Sequence, residues 1–162
     1  MIKILGVHSN VLGSAGLKDG HAWISVHYTN GNLATVGLWT DSLTEPRRFV
    51  RDPIGIFAST AEHFDVRWDE ELKRNYKALV SRFYGLSSNG AHKAIKALGH
   101  YTGWRYTNTC ASFASYVVGQ VTGEKLGVSD HGLETPRALA HSIAVAEGRE
   151  RTSLAKPRQI RG

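Results

Sequence analysis

The stretch Thr107-Asn108-Thr109-Cys110-Ala111-Ser112-Phe113-Ala114 carries the chain's single cysteine at the head of an apolar helical pattern. Asn108 or Thr109 can accept hydrogen bonds from the first free amides of a helix, which puts Cys110 in its first turn. There the partial positive charge of the helix end favours thiolate over thiol. Phe113, Ala114, Val117, Val118 and Val121 continue the apolar stripe, so the thiol belongs to that stripe but lies at its exposed end. Gly123 is the expected stop. A lone cysteine is by default a small buried apolar residue. The nucleophile reading therefore depends on a base supplied from elsewhere in the chain.

The 162 residues fit one domain with a core large enough to fold without staples, and the composition is that of a globular protein, 41% hydrophobic and 21% charged. One cysteine rules out an internal disulfide and a cysteine-based zinc cluster. No apolar run approaches the ~20 residues of a membrane span. The start, Met1-Ile2-Lys3-Ile4-Leu5-Gly6-Val7, turns polar too quickly for a secretory signal, so synthesis in the cytoplasm without a signal peptide is expected. The net charge of +6 and the pI near 9.6 favour an anionic partner. Much of the excess is local: Arg149, Arg151, Lys156, Arg158 and Arg161 crowd the end. Residues 149–162 therefore read as a basic tail following a single domain over 1–148.

Residues 2–8 alternate weakly and read as a strand, followed by a loop through Gly13, Gly16 and Gly20 that lacks the features of a phosphate-binding loop. His21–Tyr28 and Asn32–Thr40 are β-rich runs joined by Thr29-Asn30-Gly31-Asn32. Asn-Gly is the preferred centre of a two-residue type I′ hairpin turn. That register sets Thr40 opposite His21, with Asp41 one step beyond. Ala22, Ile24, Val26 and Tyr28 then share one face, and His21, Trp23, Ser25 and His27 the other. An irregular connection over 41–58, with a short strand near Phe49, precedes a capping-box pattern at Ser59-Thr60-Ala61-Glu62. Leu72, Tyr76, Leu79, Val80 and Phe83 fall at helical spacing and predict a helix from about Asp69 to Tyr84, stopped by Gly85. A short helix is expected over 90–99 with Ala94, Ile95 and Leu98 inward. Thr135-Pro136 opens a last helix, with threonine as cap and proline as first helical residue.

A cysteine hydrolase needs a thiol at a helix N-terminus, a histidine to take and return its proton, and a polar group to orient that histidine. Cys110 heads a helix, and His21 starts a hairpin arm whose partner ends at Thr40-Asp41. The histidine thus precedes the cysteine, inverting the usual papain order. Gly20-His21-Ala22-Trp23-Ile24-Ser25-Val26, Gly37-Leu38-Trp39, Asn108-Thr109-Cys110-Ala111-Ser112-Phe113-Ala114 and Glu134-Thr135-Pro136-Arg137-Ala138-Leu139 together resemble the circularly permuted papain-like, NlpC/P60-type cysteine hydrolases. Within that group the chain resembles cell-wall amidase and endopeptidase effectors delivered by type VI secretion. The resemblance covers residues 20–145. It implies an α+β fold in which a small antiparallel sheet packs against several helices, the cysteine helix among them.

The resemblance further implies Cys110 as nucleophile, His21 as general base and the Cys110 amide as an oxyanion donor. Its third residue orients the histidine from the next strand. Asp41 is the choice here because a carboxylate can hold the second imidazole nitrogen, and Thr40 is the alternative. Trp104, Tyr106 and His131 are candidates for a substrate groove, and ordinary core aromatics or a solvated turn are the competing readings. His27, His63, His92, His100 and His141 read as packing or surface groups. No spacing supports a metal site, and no cofactor is implied. The implied substrate is a peptidoglycan peptide, cut at an amide bond through a thioester. An immunity protein, a secretion-machinery carrier and action in a target cell's periplasm are implied with it. Two other readings keep the Cys110–His21 pair: a permuted papain-like acyltransferase and a protein-directed cysteine peptidase. A third is a non-enzymatic basic module. Nucleic acid is a poor fit to that module, because the basic residues are not interleaved with aromatics.

Overall fold

The pairing of the first strand decides the architecture. A computed structural model describes residues 1–16, 20–38, 49–51, 57–59, 66–68, 78–99, 109–148 and 158–159. Strand β1 (Ile2–Ser9) lies inside the sheet and bonds on both edges: to β2 (Ala22–Tyr28) on one side and to β7 (Val80–Gly85) on the other, both antiparallel. β3 (Leu33–Leu38) follows β2, and β6 (Val66–Trp68) pairs with β3. β10 (Arg158–Gln159) runs parallel to β7 at the far edge, which gives the order β10-β7-β1-β2-β3-β6. Two short hairpins stand apart, β4 (Phe49–Arg51) with β5 (Phe57–Ser59) and β8 (Ser129–Asp130) with β9 (Leu133–Glu134).

Among the described residues there are three helices: α1 (Ser88–Leu98), α2 (Cys110–Thr122) and α3 (Pro136–Glu147). α2 packs on β2, β3 and β1, α3 on β7 and β1, and α1 on α2 and β1. Leu5, Val7, Ala22, Ile24, Val26, Val36, Leu38 and Val80 meet Phe113, Ala114, Val117, Val118, Leu139 and Ile143 in one core. The fold is thus α+β, with a mainly antiparallel sheet against helices that include the cysteine helix. The caps of α2 and the start of α3 are as the sequence predicts. Thr109 caps α2 and Thr135 caps α3 with Pro136 behind it, while Gly123 and Gly148 end these helices in the left-handed conformation.

Several expectations are corrected. The helix over 69–84 does not form at its C-terminal end, because Val80–Gly85 is strand β7. Leu79, Val80 and Phe83 are spaced for a helix, but β1 needs a partner along its second edge, and the ladder extends past both ends through Leu79 N to Ser9 O and Leu86 N to Lys3 O. Val80, Arg82 and Tyr84 alternate with Ser81 and Phe83 accordingly. Upstream, β6 occupies 66–68, where the helical pattern following the 59–62 capping box was expected. In α1 the inward residues are Ala91, Ala94, Ala97 and Leu98, and Ile95 is exposed. The hairpin loop has three residues. Gly31 N bonds to Tyr28 O, Tyr28 N bonds to Asn32 O, and of Asn30 and Gly31 only the glycine has positive φ, at +87°. This is a type I turn closed by a left-handed glycine. It pairs Ile24 with Val36 and shifts the register by one from the expected one. The type I′ pattern appears elsewhere, at His131-Gly132 between β8 and β9, with φ of 52° and 85°. Finally, the tail assigned to 149–162 contributes Arg158–Gln159 to the sheet, where the open edge of β7 offers unpaired amides and carbonyls.

Arg82 points from β7 into the helix layer, where it has little exposure. It donates to Glu147 Oε1 at 2.5 Å, to Glu124 Oε2 at 3.1 and 3.2 Å, to Ala146 O and to Tyr84 Oη. Neutralising it strands two carboxylates, one of them nearly buried. Arg82→Met should therefore lower stability by ~3 kcal/mol and the midpoint of thermal unfolding by about 10 °C, measured by calorimetry or circular dichroism.

Candidate active site

Thr109 sets the start of α2. Its hydroxyl accepts from Ala111 N, its own amide donates to Ser112 Oγ, and the hydroxyl in turn donates to Glu134 O at 3.0 Å. Ser112 Oγ also donates to the Glu134 carboxylate. The capping box is thereby tied to β9, immediately before the Thr135 cap of α3. Cys110 is the first helical residue, and its side chain is turned into the core with 6% exposure.

The thiol meets the beginning of β2. The backbone amides of Ala22, Ala111 and Cys110 itself favour thiolate, but burial outweighs them and pushes the thiol from 9.0 up to about 11. This departs from the expectation that the helix end favours thiolate over thiol. The first-turn position is as foreseen, but the depth of burial reverses the sign of the shift.

His21 directly precedes Ala22, the β2 residue whose amide favours the Cys110 thiolate. Its backbone is clamped to β1's exit: its N–H donates to Asn10 Oδ1 at 2.6 Å, and its carbonyl accepts from Asn10 N at 3.2 Å. Gly20 precedes it with φ +86°, and a Cβ there would strike Val11 and Asn10. The conformation and the space both call for glycine. The His21 side chain is buried, and its ring stacks on Trp23 with centroids 6.3 Å apart and an interplanar angle of 12°. The structure thus brings Cys110 and the His21–Ala22 junction together across α2 and β2.

Thr40, Asp41, Trp104 and Tyr106 lie outside the described residues, as do Asn108, His63 and His100. The register that set Thr40 opposite His21 is not the one formed. His131 is 87% exposed at the tip of the β8–β9 turn, with φ of 52°. Its neighbour Asp130 is gripped by Arg137 through both carboxylate oxygens and by Thr135, and these bonds hold its carboxyl below the usual range. Arg137 Nη1 also donates to Ala15 O, which fastens the glycine loop to α3. His92 and His141 are exposed on helices, as expected.

Sequence reasoning missed His8. It is buried on the sheet face turned away from the helices, and burial together with nearby His27 lowers it to about 3, so it is neutral. The register of β1 against β2 and β7, which the sequence does not print, is what gives it neighbours. Among the described residues no group of three or more His, Cys, Asp or Glu side chains could hold a metal, and no helix is long and apolar enough to cross a membrane. Compared with protein-family models, curated proteins and solved structures, the chain matches none.

The Cys110 shift has a testable sign. Between pH 9 and 11 the unfolded chain has lost the thiol proton while the folded chain keeps it, so the contribution is complete below pH 9 and disappears as pH rises through 11. Relative to Cys110→Ala, the native protein should lose about 2–3 kcal/mol of stability over that window, read from urea unfolding at stepped pH. Alkylation of the folded thiol should be slow at pH 8 and accelerate only as pH approaches 11.

Proposed function

We propose that the protein is a cysteine amidase or endopeptidase acting on peptidoglycan peptides, with Cys110 as nucleophile and His21 as general base, in a circularly permuted NlpC/P60-type arrangement. The observation that carries this reading is the meeting of the capped head of α2 with the first residue of β2, which sets the thiol beside the residue following His21. With its thiol near 11, only about one Cys110 in ten thousand is thiolate at pH 7. Attack on the scissile carbonyl therefore coincides with proton transfer from sulfur to the imidazole. His21 then gives that proton to the leaving amine, and a thioester on Cys110 remains. Water adds to the thioester, its proton passing through His21 back to sulfur, and the carboxylic product leaves. The amides around the sulfur are the donors available to the developing oxyanion, that of Cys110 first among them. Asp41 is proposed to orient the imidazole, with Thr40 as the alternative.

A role as an antibacterial effector follows from the same resemblance, with export by a dedicated secretion system and an immunity protein as inhibitor. The test uses purified protein and peptidoglycan fragments, with products read by mass spectrometry. Native protein should release cleaved stem peptides or cross-links, and Cys110→Ala and His21→Ala should each cut the rate by about a thousandfold or more. No cleavage of any stem peptide by folded native protein overturns the reading. Equal cleavage by native protein and Cys110→Ala would also overturn it.

A further inference from the structure

Three rings, those of His8, Trp23 and His21, stand in a row. His8 stacks on Trp23 with centroids 5.3 Å apart and planes at 26°, and Trp23 stacks on His21. His8 and Trp23 are direct neighbours across β1 and β2, and His21 lies two residues before Trp23, just ahead of β2. The far end of the row is fixed. His8 Nδ1 is 2.8 Å from Ser81 Oγ on β7, and Nε2 is 2.7 Å from Ser25 Oγ on β2. Both ring nitrogens are thus engaged, one as donor and one as acceptor, since the imidazole is neutral. Phe83 closes on the same ring edge-on at 5.4 Å, and Ser25 Oγ continues to His27 Nε2 at 3.2 Å. Gly6 leaves the space for this bonding. A Cβ there would lie 2.4 Å from Ser25 Oγ and 2.7 Å from His8 Nε2.

A buried ring bonded at both nitrogens across three strands cannot turn, and the indole packed on it inherits that restraint. The indole in turn bounds the rotamers open to His21. We propose that His8 is a positioning residue that fixes the orientation of the His21 imidazole through Trp23, with Ser25 and Ser81 as its anchors. A simpler core would bury an aliphatic residue at position 8; the histidine supplies a planar face whose angle is set by directional bonds. The role in catalysis rests on His21 acting as the base, but the mechanical link from His8 to His21 does not.

The test separates the two. In ¹H–¹³C NMR spectra of the native protein, the His21 ring protons, assigned by their loss in His21→Gln, should carry an upfield ring-current displacement that Trp23→Leu abolishes. In His8→Leu that displacement should fall by half or more. In Ser25→Ala, which keeps the ring but removes one anchor, it should fall by a smaller amount and the His21 lines should broaden. If His8→Leu does not fold, Ser25→Ala decides. His21 shifts identical to native in every folded variant overturn the proposal, whatever the protein's activity. Where native protein cleaves peptidoglycan, His8→Leu should lower kcat about tenfold with KM changed less than twofold, and an effect confined to KM would overturn the catalytic consequence. Absence of cleavage by native protein bears on the proposed function and leaves the ring-current result standing.

Discussion

β1 must find hydrogen-bond partners along both edges, and the remainder of the structure follows from how it does so. A strand this buried cannot leave one row of amides and carbonyls facing an apolar layer, since each unmet group costs of order 1–3 kcal/mol. β2 satisfies one row through a local connection, and β7 satisfies the other from far along the chain. That second pairing brings Arg82 under the helices and Ser81 under His8. It also gives α3 the surface on which it packs. The sheet's helical face becomes the core, and its other face carries His8 with Trp23 and Phe83 packed on it.

The candidate site uses both halves of this arrangement. From the helical side come the capped start of α2 and its buried thiol; from the strand side comes β2, with its first amide against the sulfur and His21 one residue earlier. Ser9 Oγ reaches Pro136 O and Thr109 Oγ1 reaches Glu134 O, so the heads of α2 and α3 and the end of β1 are joined by side-chain to backbone bonds.

What the sequence showed plainly was what neighbouring residues decide among themselves. The Thr109 cap, the Phe113–Val121 stripe, Gly123, and Thr135 with Pro136 are local chemistry, and each was legible. The hairpin was legible as a hairpin, but Asn30-Gly31 suits a two-residue loop and a three-residue loop alike, so the register came out one step away. Leu79, Val80 and Phe83 fit a helical period by themselves, and only the demand of a strand more than seventy positions earlier makes their segment β. Arg82 finds Glu124 and Glu147 at separations of 42 and 65 residues, which no local pattern announces. The thiol illustrates a different limit. A helix head can be read from a sequence, but the desolvation that overrides it depends on what packs above.

Arg82 also acts as a register key for β7. Side chains alternate, so sliding β7 by one residue along β1 would carry the guanidinium to the face of His8 and Phe83 and abandon Glu124 and Glu147 beneath the helices. Apolar residues at the neighbouring positions would tolerate such a slip far better, because one hydrophobic side chain replaces another at small cost. A charge with two fixed partners tolerates only one alignment. The same choice that aligns Arg82 aligns Ser81 with His8 on the reverse side. An ion cluster in one layer thus sets the hydrogen-bond geometry in the other.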